Sequence, residues 1–159
     1  MPRPRRYSWL RILLLVLAAL VATVVPLPDL LEPARPNFVA LTVLWLCLAS
    51  LRATGLAVAW GAGLAEDALH GMLLGQHALA LVVIGYIALK LRFRIRVFPA
   101  LHQSTVVLGL LALHEFILFW IDGLSGHALT GWSRWLGVVV GAACWPLVSA
   151  LYGRLALRP

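Results

Sequence analysis

The stretch FVALTVLWLCLASLRATGLAVAW occupies residues 38–60, and whether it forms one helix or two decides the fold. As one helix it carries Arg52 in the middle of an otherwise apolar segment and leaves the chain with five apolar spans. As two, it breaks between residues 51 and 55, and its first arm is short. Residues 38–51 reach only about 21 Å at about 1.5 Å per residue, against a hydrocarbon core of roughly 30 Å. A segment of that length has to recruit flanking residues, thin the bilayer or lean on neighbouring helices.

Charge placement chooses between the two readings. The 159-residue chain is 62% hydrophobic and 12% charged, whereas a soluble domain is typically about 45–50% apolar and about 25% charged. Apolar runs recur along its whole length, which makes it an all-α polytopic membrane protein rather than a soluble domain with one anchor. The spans fall at about 10–26, 38–51, 55–69, 78–91, 100–121 and 135–155, a single membrane domain covering residues 1–159. With six spans and the N-terminus inside, the inner ends carry Arg3, Arg5, Arg6, Arg11, Arg52, Lys90, Arg92, Arg94, Arg96, Arg154 and Arg158, leaving only Arg35 and Arg134 outside. That distribution satisfies the positive-inside rule, whereas five spans would put the basic cluster of residues 90–96 outside. Both termini are therefore expected in the cytoplasm.

The N-terminal stretch has the basic start and apolar core of a secretory signal, but no A-x-A-like site follows it, so an uncleaved first span is expected. The Arg5-Arg6 pair is ordinary for the inner end of such a span and is weak evidence for a twin-arginine signal. Cys47 and Cys144 each lie within an apolar run, where a free thiol acts as a small hydrophobe, so neither a disulfide framework nor a cysteine metal site is expected. The net charge of +7 belongs to topology. Nucleic acid is not an expected partner, because no aromatic readout module accompanies the cations.

Polar chemistry concentrates in GLAEDALHGMLLGQHAL, residues 63–79. On a helix Glu66 and His70 share a face, while Asp67 is turned by about 100°. Gly71 and Gly75 are expected to end the regular helix before His77. A metal site would require the turn to fold Glu66, Asp67, His70 and His77 together, and polar contacts between helices near the outer face are the simpler expectation. The His114-Glu115 pair fails the HExxH pattern because position 118 is leucine. Glu115 nevertheless lies in an apolar span and has to be neutral, paired or facing a polar cavity; a pair between Glu115 or His114 and Asp67 or His70 is one arrangement, and Asp122 lies on roughly the same face. No nucleophile motif or phosphate-binding loop is present, so no enzymatic activity and no cofactor are expected.

Three further segments carry readings of their own. KLRFRIRVF, residues 90–98, alternates basic and apolar residues. It suits an interfacial strip with Leu91, Phe93, Ile95 and Val97 in the headgroup boundary and Lys90, Arg92, Arg94 and Arg96 offered to anionic lipid or an acidic partner, or it is topogenic charge alone. The outer loop LPDLLEPARPN, residues 27–37, is stiffened by its prolines, and Trp120, Trp132 and Trp135 fit an interfacial aromatic belt. Gly61-Ala62-Gly63 suits close helix approach, either within the chain or to a neighbour's helix.

Taken in order, ARPNFVALTVLW after a proline-containing first loop, the small-residue span ending in Asp67 followed by GMLLGQHAL, the basic KLRFRIRVFP, HQSTVV, and a last span with Trp145-Pro146 resemble the MreD family of bacterial rod-shape proteins. Glu66 beside the family-like Asp67 departs from that pattern. The resemblance implies a non-enzymatic inner-membrane scaffold of the rod (elongation) complex that associates with MreC. Its other implied partners are MreB, RodA and a class B penicillin-binding protein, which together make lateral peptidoglycan. It also implies a fold similar to the substrate-binding subunits of energy-coupling-factor transporters, which keeps open a small-ligand-binding membrane subunit with its ligand near Asp67 and Glu115; fold alone does not establish it. The candidate structural or coupling residues are Pro36, Asn37, Asp67, Gly71, Gly75, Gln76, Glu115, Trp145 and Pro146, with Glu115, like Glu66, outside the family-like pattern.

Overall fold

The computed structural model of the chain describes residues 9–28, 31–49, 52–71, 73–126, 132 and 134–157. Arg3, Arg5, Arg6 and Arg158, which the topology argument uses, lie outside the described residues, as does most of the loop before residue 134. Six α-helices follow one another: α1 Trp9–Val24, α2 Phe38–Leu48, α3 Arg52–His70, α4 Gln76–Ile95, α5 Ala100–Leu124 and α6 Arg134–Leu157. A 3-10 turn, Glu32–Ala34, lies between α1 and α2. The opening stretch is thus two helices, and Arg52 starts the second instead of lying inside one long helix.

α2 holds the centre. It has only 11 residues, and every side chain from Val39 through Leu48 is buried. A helix that is apolar all round has no solvent face and belongs inside a bundle, and α2 packs against α1, α3, α4 and α6. At about 1.5 Å per residue it is about 16 Å long, shorter than a bilayer core, so it leans on its neighbours. Its start is set by Asn37, whose Oδ1 accepts the Ala40 backbone N–H at 2.8 Å, a side-chain cap on an otherwise unbonded donor.

Two small-residue contacts let the remaining helices close on this centre. A Cβ on Gly63 would overlap the backbone of Ala78, so α3 and α4 approach backbone to backbone, as small residues permit. Gly61 has nothing within 4 Å of a Cβ position and faces away from that contact. Gly55 and Gly85 close on the Cys47 thiol, with Cβ-to-sulfur distances of 3.1 and 3.3 Å.

The outer faces are apolar. α1 buries Ile12, Ala19 and Thr23 and exposes Leu10, Leu13, Leu14, Leu17 and Val21, a one-sided stripe against the bundle with the remaining face open. α5 and α6 are long and apolar enough to cross a membrane, and α1 is a shorter apolar helix. Trp120 and Trp132 are exposed.

The segment of residues 90–98 departs from its expected form. α4 continues through it to Ile95, and a helix repeats every 3.6 residues, not every two. The alternation therefore does not separate cations from apolar side chains: Arg92 is 5% exposed with Ile95 buried, while Phe93 and Val97 are exposed. Lys90, Arg94 and Arg96 are exposed. The Arg92 guanidinium lies 4.4 Å from the Phe93 ring centroid, a cation–π contact. Arg92 and Arg94 also occupy the last turn of α4, where the helix dipole favours positive charge.

Candidate functional site

The polar residues gather at one end of the bundle, where the α3–α4 turn, the start of α2, the end of α5 and the start of α6 meet. Gly71 and Gly75 have φ of +62° and +102°, left-handed backbone that glycine adopts without a Cβ penalty. They reverse the chain within a few residues, and Asp67 ties the reversal together. Its Oδ2 accepts the Gly75 N–H at 2.8 Å, and its Oδ1 accepts the His77 N–H at 2.9 Å and meets His77 Nδ1 at 2.8 Å. The fully buried carboxylate thus serves as a side-chain cap for α4, supplied from α3.

A second network joins α4, α5 and α6. Arg134 Nε donates to Glu115 Oε2 at 3.0 Å and its Nη1 to Asp122 Oδ2 at 3.2 Å. Gln76 Nε2 donates to Asp122 Oδ1 at 2.5 Å, and His114 Nδ1 lies 3.5 Å from Glu115 Oε1. One guanidinium spans two carboxylates from the same helix, so α6 is fastened to α5 by paired charge, the form in which buried charge is tolerable. Glu115 is paired with Arg134 and not with Asp67 or His70; contact between the two networks runs through rings, with His77 and His114 centroids 6.1 Å apart and His70 stacked on His77 at 5.9 Å.

Glu66 belongs to neither network. Its Oε1 accepts from Asn37 Nδ2 at 3.0 Å, which links α3 to the start of α2. Arg35 donates through its terminal nitrogens to the carbonyls of Thr23 and Val25 at the end of α1 and lies 3.5 Å from Glu32. Buried Pro36 sits between Arg35 and Asn37. A cavity of about 430 Å³ opens among these groups, lined by Glu32, Arg35, Asn37, Glu66, Glu115 and Arg134 together with the His70 and His77 pair. Asp67 and Gln76 are not among its lining residues. No group of three or more His, Cys, Asp or Glu side chains among the described residues is placed to hold a metal ion.

Trp145 lies away from this end. It is almost fully buried, its Nε1 donates to Gln103 Oε1 at 3.2 Å, and Pro146 follows it within α6. The basic residues Lys90, Arg94 and Arg96 are at the far end of α4. The sequence-derived site residues are therefore spread over three places, with Pro36, Asn37, Asp67, Gly71, Gly75, Gln76 and Glu115 together. Sequence reasoning did not assign roles to Arg35, Arg134 or Gln103; the first two had one signal, as the two cations that the six-span reading leaves on the outer side.

Comparison with known proteins decides the family. The family model for rod shape-determining protein MreD matches residues 4–155. The chain belongs to the MreD family. A rod shape-determining protein MreD from Haemophilus influenzae is 26% identical over 148 residues, covering 93% of this chain and 91% of that protein. No solved structure matches. MreD is a shape-determining membrane family, and the matched region takes in α1 to α5, nearly all of α6 and every residue of the polar end.

Proposed function

We propose that this protein is a non-enzymatic, six-span scaffold of the bacterial inner membrane, with both termini in the cytoplasm, that binds MreC. In this role it helps couple the MreB cytoskeleton to lateral peptidoglycan synthesis by RodA and a class B penicillin-binding protein. The observation that carries the reading is the family match from residue 4 to residue 155. The construction of the polar end supports it. Three of its carboxylates, Asp67, Glu115 and Asp122, are committed to backbone N–H groups, His77, Gln76 and Arg134, which makes them fasteners between helices, while Glu66 keeps one oxygen free.

The exposed faces fit the same role. The unpartnered stripe of α1 and the outer sides of α5 and α6 offer surface to lipid or to a partner's transmembrane helix. Exposed Lys90, Arg94 and Arg96 offer positive charge to anionic lipid or an acidic partner at the opposite end, with each cation near an anionic surface contributing about 1 kcal/mol.

The test is depletion in a rod-shaped host together with site-specific photocrosslinking from the α1 stripe. Rounding of the cells and a crosslink to MreC are expected. Persistent rod shape after depletion overturns the shape role, and crosslinks from every exposed stripe to lipid alone overturn MreC docking on those faces.

A further inference from the structure

We propose that the cavity at the polar end binds a small zwitterion, with a primary ammonium bonded to Glu66 and an anionic oxygen group bonded to Arg35. A volume of about 430 Å³ falls in the range of small-molecule pockets, about 300–1,000 Å³. The chemistry of the occupant follows from which polar atoms on its wall are spent and which are free.

Most of the charge on the wall is spent. Arg134 is shared between Glu115 and Asp122. Glu66 is different: it is 2% exposed, its Oε1 is bonded to the neutral amide of Asn37, and its Oε2 has no partner. Among the described residues no cation pairs with it. A carboxylate removed from water without a cation is strongly disfavoured, so an ionised Glu66 is completed by a hydrogen-bonding cation.

Arg35 supplies the complement. Its terminal nitrogens go to two backbone carbonyls, Glu32 at 3.5 Å is half exposed, and the buried Nε–H has no partner. Glu66 and Arg35 therefore line the same cavity, and each keeps one buried atom without a partner, an acceptor at Oε2 and a donor at Nε. They select a molecule that carries both an N–H cation and an anionic oxygen. The terminal torsion of a glutamate is broad, so the Glu66 carboxyl can turn Oε2 toward the cavity while Asn37 follows.

Two sources carry this chemistry: a free small zwitterion, or the headgroup of an aminophospholipid. Full-length protein in dodecyl maltoside is titrated calorimetrically with glycine and phosphoethanolamine, and with their quaternary counterparts betaine and phosphocholine, which keep the charges but have no N–H. In parallel, thermal unfolding is followed with added phosphatidylethanolamine or phosphatidylcholine.

Saturable binding of either primary amine without its counterpart supports a free zwitterion. Stabilisation by phosphatidylethanolamine over phosphatidylcholine, without free-ligand binding, supports the headgroup. Glu66→Gln and Arg35→Gln each remove a charge-assisted hydrogen bond, and each is expected to weaken binding about tenfold or more, with helix content checked by circular dichroism. Should one variant fail to fold, the other reads its own end of the ligand. The proposal is overturned if neither amine nor phosphatidylethanolamine is distinguished from its quaternary counterpart, or if a folded variant binds as the parent does. Cell shape is not a readout, so failure here leaves the scaffold reading standing.

Discussion

Replacing Asp67 by alanine removes the acceptor for three donors at once: the Gly75 N–H at 2.8 Å, the His77 N–H at 2.9 Å and His77 Nδ1 at 2.8 Å. The two backbone donors belong to the start of α4, where no intrahelical carbonyl is available to them, and Asp67 is fully buried. Each orphaned buried donor costs about 1–3 kcal/mol, or about 2–6 kcal/mol for the two. Removing a buried carboxylate recovers part of its own desolvation cost, so the net loss expected for Asp67→Ala is about 1–4 kcal/mol. Asp67→Asn is gentler. Its amide oxygen can stay on the His77 side, and only the Gly75 bond is lost, for about 1–3 kcal/mol. The assay is reversible unfolding in mixed micelles by titration with dodecyl sulfate, followed by tryptophan fluorescence, on both variants and the parent. The expected order of stability is parent, Asn, Ala. If Asp67→Ala unfolds within about 0.5 kcal/mol of the parent, the range of an unremarkable surface change, the carboxylate does not hold the turn and the reasoning fails.

Arg134→Ala leaves Glu115 and Asp122 without their shared cation and is expected to cost about 3–5 kcal/mol; an effect under 1 kcal/mol in the same unfolding assay would count against the network. Gly63→Ala drives a methyl into the Ala78 backbone and should cost about 1–3 kcal/mol, whereas Gly61→Ala, with nothing within 4 Å, should be neutral or slightly stabilising, since alanine is the better helix former. Equal effects at the two glycines would contradict the close α3–α4 approach. Gly75→Leu places a side chain at φ +102° and should lower the midpoint more than Leu79→Ala, because Leu79 is exposed; the reverse ranking would show that the turn tolerates a Cβ.

Much of the fold was written locally. A break within residues 38–60, the glycine-bounded turn at residues 71–75 and the apolar helices are each readable from a few neighbouring residues, because backbone preference, apolar periodicity and charge near a span end act over one or two turns; the break itself falls between Leu48 and Arg52, ahead of the expected residues 51–55. The segment of residues 90–98 shows where such reading fails. Its period-two alternation was overridden by the helix already running into it, so Arg92 is buried while the other cations and Phe93 are exposed. The gathering of Asn37, Asp67, Gly75 and Gln76 at one end was partly legible, since each lies at or just beyond an outer end of a predicted span, whereas Glu115 lies inside its own.

Which group pairs with which was not legible. Glu66 and Asp67 are adjacent, yet one bonds Asn37 and keeps a free oxygen while the other caps α4, and Glu115 meets Arg134 in place of Asp67 or His70. Sequence alone determined an all-helical membrane chain of this family, broken at Arg52 and turned at its glycines, because those features depend on local backbone preference and on the cost of burying charge in lipid. The tertiary structure alone decided the cavity, the paired charges and the two unspent atoms at Glu66 and Arg35, because helix rotation and approach are set by packing between distant residues such as Gly63 against Ala78.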